Sequence, residues 1–245
     1  MNAIETIGLT KVFGRKVAVD HIDLTVGEGE LFALLGVNGA GKTTTIRMLS
    51  GLSAPTEGTC SVCGHDCVTE KPQVKEIIGL SPQDTAVAEN LTVQENLQFM
   101  AQVHGLSGEA KRQRVQEMLE QFRMEEVLDS RAKTLSGGWK RKLSIAMALI
   151  SQPKVLFLDE PTLGLDVLAR RELWRVIEGL KGKVTVLLTT HYMEEAEHLA
   201  DRIAVMIAGR MAAVGTLQQL EEMTGKTGLE EAFVAIAEGS VGQDA

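Results

Sequence analysis

The sequence predicts an α/β fold: a mainly parallel sheet as the core, an antiparallel β region at the N-terminal end and an α-helical insertion in the middle. Three observations predict it. The runs "ELFALLG", "KVLFLDE", "VTVLLTT" and "RIAVMIA" are continuously apolar, as strands buried on both faces of a parallel sheet are. Segments of helical period, "VLARRELWRVIEGL" and "YMEEAEHLA", alternate with the later runs, and such alternation builds parallel α/β cores. From Ile4 to Val26 the pattern is different: short alternating runs broken by glycine and charge, "IETIGLT" and "VAVDHIDLTV", which read as antiparallel strands.

The elements follow in order. After "ELFALLG" comes a glycine-rich turn and then "KTTTIRMLSGL", whose Ile46 and Leu49 recur at helical spacing before Gly51 ends the helix. From about Thr92 to Ile150 the pattern reads as helical throughout. Thr92 and Glu95 form a capping box for "VQENLQFMAQVHG", Ser107 can cap "GEAKRQRVQEMLEQF", and Ser136 can cap "GGWKRKLSIAMALI". The buried-strand signal then returns with "KVLFLDE". There is no repeat or low-complexity linker, and the final "GQDA" is expected to fray.

At 245 residues the chain fits one core with an inserted or appended subdomain. Such a chain buries roughly 70 to 75% of its unfolded surface, so no staple is needed. The net charge of -8 argues against a nucleic-acid partner, which would require clustered Lys and Arg. No apolar run approaches the roughly 18 residues of a bilayer span, so any membrane connection comes through a partner. The start "MNAIETIGLT" lacks a basic residue followed by an apolar stretch, which predicts no secretory signal and a cytoplasmic chain. Cys60, Cys63 and Cys67 cluster around His65. No distant second pair completes a metal shell, and four ligands within so short a run would be cramped, so reduced thiols are the preferred reading and a metal site the alternative.

Chemistry concentrates in two places. "GVNGAGKT", Gly36 to Thr43, matches G-x-x-x-x-G-K-[ST] between a buried strand and a helix. Its glycines let backbone N–H groups curl around phosphate oxygens, Lys42 supplies charge to the β and γ phosphates, and the Thr43 hydroxyl can ligate magnesium. The candidate phosphate-binding set is Gly36, Asn38, Gly39, Ala40, Gly41, Lys42, Thr43 and Thr44. "VLFLDEP" places Asp159 and Glu160 at the end of a buried strand, where open α/β sheets bind ligands. Adjacent carboxylates point to different sides of an extended chain, so Asp159 can face the metal and Glu160 an attacking water.

Taken together, the phosphate loop, "LSGG" ahead of "VLFLDEP", Gln83 in "GLSPQD", Asp166 in "TLGLD" and His191 in "LLTTHYMEEAEHLADRIAVM" resemble the nucleotide-binding subunit of an ATP-binding cassette (ABC) transporter, in one order from about Ala3 to Gly215. The resemblance implies a P-loop NTPase core. It implies one nucleotide-binding domain over residues 1–245, with the helical subdomain of about 92–150 inserted and a short C-terminal extension over 216–245. It implies ATP and Mg2+ as ligands, Glu160 as general base, His191 on the γ-phosphate, Gln83 and Asp159 in the metal shell with Thr43, and Asp166 crossing to a second copy. Adenine would stack on Phe13 of "KVFG", where the family commonly has a tyrosine.

Ser136, Gly137 and Gly138 open a helix, so unpaired N–H groups and the positive dipole end face outward as an anion site. The resemblance implies that this site takes the γ-phosphate of ATP held by another subunit in a head-to-tail homo- or heterodimer. "HYMEEAEHLADRI" and "GKTTTIRMLSGL" are most similar to exporter-type cassettes, drug-efflux ones included. The expected function is therefore ATP hydrolysis that drives export through a separate integral-membrane permease, from the cytoplasmic face of the membrane. The alternatives are a soluble cassette without a membrane partner and a hydrolysis-poor regulatory cassette. The latter is suggested by Trp139, which stands where the family most often has Gln; a packing role for its ring is preferred over a direct effect on hydrolysis.

Overall fold

The computed structural model describes residues 2–241. In chain order its strands and helices are β1 (Asn2–Phe13), β2 (Lys16–Gly27), β3 (Leu31–Leu35), α1 (Lys42–Leu49), β4 (Glu57–Val62), β5 (His65–Asp66), α2 (Lys71–Ile77), β6 (Ile78–Ser81), α3 (Val93–Val103), α4 (Gly108–Phe122), α5 (Gly137–Leu149), β7 (Val155–Asp159), α6 (Val167–Glu178), β8 (Thr185–Thr190), α7 (Met193–Leu199), β9 (Arg202–Ile207), β10 (Arg210–Gly215), α8 (Leu217–Thr224) and α9 (Leu229–Val241). The expectation for "GQDA" falls outside the described residues.

They form two sheets. β2-β1-β4-β5 is antiparallel, and β10-β9-β3-β8-β7-β6 is parallel except for the β9–β10 pair at its edge. The continuously apolar runs are buried because both faces of the larger sheet are covered. In β3, Leu31, Ala33 and Leu35 enter one apolar cluster with the helices α3 to α7, while Phe32 and Leu34 enter the other with α1 and the antiparallel sheet. A period-2 pattern cannot appear in a strand that is wet on neither side.

The helical stretch differs from the sequence reading. It is helical over α3, α4 and α5, but residues 123–136 hold only two single 3-10 turns, Glu125–Val127 and Ala132–Thr134. Arg123 caps α4 in the left-handed conformation, at φ 53, which turns the chain out of the helix. The Thr92–Glu95 capping box is present, and Ser136 accepts from Trp139 N. Ser107 occupies the cap position of α4, but its hydroxyl makes no capping bond. The short strand β6 carries too few residues for a pattern; its pairing with β7 (Gly79↔Leu156, Ser81↔Leu158) defines it.

Candidate functional site

The site grows from the parallel register. β7 and β8 align so that Asp159 stands opposite Thr189, and β3 and β8 align Leu35 with Thr190. The ends of three neighbouring strands thus open at one edge, against the glycine turn. Thr189 Oγ1 donates to Asp159 Oδ1 at 2.6 Å, and Thr43 Oγ1, from the first turn of α1, donates to the same oxygen at 3.0 Å. Asp159 is 4% exposed, so these hydroxyls replace the water it lost.

Glu160 turns the other way. Its backbone adopts a left-handed φ of 49, a conformation that costs a non-glycine residue about 1 to 3 kcal/mol and collects at functional sites. Its N–H donates to both the carbonyl and the hydroxyl of Thr189, at 3.1 and 3.0 Å, which holds the bend. The carboxylate is buried between two nitrogen partners: Lys42 Nζ lies 3.0 Å from Oε1, and His191 Nδ1 2.8 Å from Oε2. Lys42 also donates to the Gly36 carbonyl at 2.7 Å and the Val37 carbonyl at 3.3 Å.

Two glycines of the loop are required by space. Gly41 has φ 108, and a Cβ there would press on the Ala18 carbonyl and Met206; at Gly36 it would press on the Met206 carbonyl. Gly36 and Ala40 accordingly form the inner wall of the loop, Gly36 N donating to Thr190 O at 3.2 Å. The outer wall lines a cleft of about 470 Å³ with Phe13, Asn38, Gly39, Gly41, Lys42, Thr43, Thr44, Gln83 and Glu160. Phe13 is 54% exposed at the mouth, with Lys11 Nζ 5.1 Å from its ring centroid. Around Thr43 and Asp159 the available donors are a hydroxyl and a carboxylate, with the Gln83 amide lining the same cleft. This is an all-oxygen set of the kind a hard magnesium ion takes, and an open face of backbone amides is what a polyphosphate takes.

Ser136, Gly137, Gly138 and Asp166 are not in this cleft. Ser136 and Gly137 are exposed at the start of α5. A Cβ on Gly138 would meet Ala169 Cβ of α6 at 3.0 Å, so the "LSGG" signature and the residues after Asp166 pack closely within one chain. Asp166 Oδ1 caps α6 by accepting from Leu168 N and Ala169 N, each at 2.9 Å. Trp139 points away from both features. Its ring is covered by Lys142 Nζ at 4.4 Å and lines a separate cleft of about 820 Å³ between α4, α5 and α6, which contains no residue of the phosphate loop.

Two open sets of backbone amides thus lie apart in one chain, one of them backed by buried carboxylates at a strand end. A profile of the ABC transporter family matches residues 19–163. The chain belongs to that family. This cassette is 45% identical over 224 residues to the daunorubicin/doxorubicin resistance ATP-binding protein DrrA of Streptomyces peucetius, covering 91% of this chain and 68% of that protein. It is 44% identical over 212 residues to the Nod factor export ATP-binding protein I of Cupriavidus metallidurans, covering 86% and 70%. Among solved structures, an ATP-binding subunit of an ABC transporter superposes with a TM-score of 0.86 at 32% identity, over 96% of this chain and 99% of that one. A dimeric cassette in a post-hydrolysis state bound to ADP and Pi superposes at 0.78 with 26% identity, over 87% and 98%. Like its family, the cassette binds nucleotide and hydrolyses ATP.

Sequence reasoning missed two residues of the cassette. Thr189 joins Asp159 to the bend at Glu160; its only signal is the hydroxyl pair at the end of "VLLTT". Arg141 is 4% exposed and donates to the carbonyls of Pro82 and Gln83, at 2.6 Å each, fixing the Gln83 loop from α5. Burial lowers its pKa, while Asp159, Asp84 and Glu195 oppose that. The cysteines sit apart from the cleft. Buried Cys60 and Cys67 donate their thiols to the Met48 and Leu49 carbonyls at the end of α1, and no group of three potential metal ligands occurs among the described residues.

Proposed function

We propose that this cassette energises export through a separate integral-membrane permease, working as one half of a head-to-tail pair of ATP-binding subunits at the cytoplasmic face of the membrane. The observation that carries this reading is the separation of Lys42, Glu160 and His191 from Ser136–Gly138. One chain supplies a nucleotide cleft and, elsewhere, a second open anion site, and two-fold symmetry would let each complete the other. No helix among the described residues is long and apolar enough to cross a membrane, which fits a permease supplied by another chain. The names of DrrA and the Nod factor export protein support outward transport. A soluble, non-transport cassette gains no observation of its own.

In this reading Glu160 accepts the proton of the water that attacks the γ-phosphorus, and His191 orients it through Nδ1. Lys42 neutralises Glu160 until phosphate oxygens draw its ammonium away, so the base is freed when substrate arrives. Thr43, Asp159 and Gln83 would hold magnesium, which neutralises phosphate charge when bound. Phe13 would stack on adenine. The intact Lys42–Glu160–His191 set counts against a hydrolysis-poor regulatory role.

The test is purification of the chain from its own cells in mild detergent, with ATPase assay of the product. Recovery with a multi-span protein that stimulates hydrolysis is expected. Recovery only with soluble partners would overturn the transporter assignment.

A further inference from the structure

Three buried side-chain atoms lack a hydrogen-bond partner among the described residues: Ser151 Oγ, Thr162 Oγ1 and Glu195 Oε2. Two of them meet behind the cleft. Thr162 lies in the turn just after Glu160, and Glu195 lies one helical turn after His191, in α7. Glu195 is 0% exposed. Its Oε1 accepts from Trp174 Nε1 of α6 at 3.1 Å, and its carboxyl lies beside the hydroxyls of Thr162 and Thr190. Thr190 Oγ1 accepts the N–H of Tyr192 at 3.0 Å, and the Tyr192 ring lies 4.1 Å from that of His191. One carboxyl therefore touches α6, the turn after Glu160 and the strand end that delivers His191.

We propose that Glu195 is a positioning residue for ATP hydrolysis: its carboxyl ties the turn that follows Glu160 to the turn that carries His191, and so keeps the His191–Glu160 contact in register. The proposal rests on the roles given above to Glu160 and His191. A fully buried glutamate that forms no ion pair among the described residues is a costly way to fill space, and a purely apolar residue would suffice if packing were all that was needed. What an apolar residue cannot do is accept the indole N–H of Trp174 while it faces the hydroxyls of Thr162 and Thr190.

The charge state follows from the surroundings. Burial raises the Glu195 pKa first, and the negative charge of Glu160 adds to this, while the nearby hydroxyls of Thr190 and Thr162 and the Trp174 N–H oppose it. The charged and titratable groups around it are Glu160 at the end of β7 and Arg141 on α5. Beyond the Trp174 ring lie Arg170 at 5.7 Å and His198 at 4.8 Å. In the neutral form the carboxyl hydroxyl can donate to Thr162 Oγ1, which pairs the two orphaned atoms. Ionisation removes that donor and sets a second negative charge behind Glu160. A carboxyl with a raised native pKa contributes stability that is present below its unfolded pKa and lost as pH rises through the native one.

The experiment compares the parent, Glu195→Gln, Glu195→Ala and Glu160→Gln, measuring ATPase rate and nucleotide-free Tm across about pH 6 to 10, a span above the ordinary glutamate pKa. The parent is expected to lose both rate and Tm as pH rises through the Glu195 ionisation. Glu195→Gln, permanently neutral and able to make the same bonds, is expected to keep most of the neutral-pH rate and to lack that alkaline fall. Glu195→Ala is expected to lose about 10-fold or more in kcat at every pH, with ATP affinity within about two-fold, as for an interaction that acts in the transition state. The same alkaline fall in Glu195→Gln as in the parent, or a parental rate in Glu195→Ala, overturns the proposal. If Glu195→Ala does not fold, the rate and Tm profiles of Glu195→Gln decide alone. A parental rate in Glu160→Gln would instead overturn the reading of the site itself, and this proposal with it.

Discussion

The phosphate-loop cleft and the start of α5 both offer backbone amides to an anion, yet they are built in opposite ways. In the cleft the charged groups are buried and paired: Lys42 and Glu160 are 5% exposed each, Asp159 is 4% exposed, and Thr43, Thr189 and His191 complete the bonds. At Ser136–Gly138 there is no charged residue, and the helix end stands open. The first region is organised before nucleotide arrives. The second is only the N-terminal end of a dipole, worth little in water and much more once a partner surface excludes solvent. In the proposed reading, chemistry is stored in one region and the need for a second chain in the other.

The comparison breaks most visibly at Glu160. Glu160→Gln keeps the phosphate contacts and removes the base, so kcat should fall by about 10² to 10⁴ while an ATP-bound dimer accumulates on size exclusion; turnover at the parent rate refutes the stored-chemistry half. Lys42→Ala should weaken ATP binding by about 10- to 100-fold, the worth of a charge-assisted bond, and unchanged affinity by calorimetry contradicts the cleft. On the open side, Gly138→Val should place bulk against Ala169 and block the approach of an opposing phosphate. Hydrolysis should fall about 10-fold or more with monomer ATP affinity retained, and an equal loss of both would merge the two regions into one site. Asp166→Ala removes two capping bonds of α6 and should cost about 1 kcal/mol of stability, read by urea denaturation.

Trp139 sharpens the boundary between the regions. Its ring faces the α4–α6 side and stacks on Lys142, which itself pairs with Glu172 at 2.8 Å. Trp139→Gln should therefore change the ATPase rate by less than about two-fold and stability by about 0.5 to 1 kcal/mol, the worth of the cation–π contact. A several-fold rise in rate would show that the residue acts on the signature directly.

What was legible in the sequence was local. The phosphate loop needs glycine where a Cβ would strike Ala18 and Met206, and its lysine and threonine stand where a phosphate and a metal would be met, so covalent order alone suggests the chemistry. The helix caps at Thr92 and Ser136 are equally local, because cap and capped amide are three residues apart. Residues 123–136 read as helical in the sequence but leave the helix in the structure: polar residues carry little periodicity, and the left-handed exit at Arg123 has no glycine to mark it.

The sequence by itself determined the sheet core, the loop and the carboxylate pair, since each depends on neighbours along the chain. Only the tertiary structure decided how they combine. The register of β7 on β8 sets Thr189 against Asp159, the bend at Glu160 brings it between Lys42 and His191, and the packing of α7 on α6 sinks Glu195 behind them. It also decided that the signature lies outside the nucleotide cleft. Contacts of this kind join residues 21 positions apart, as Trp174 and Glu195, or 116 apart, as Thr43 and Asp159, and they are fixed by strand register and helix packing, which no local pattern of sequence states.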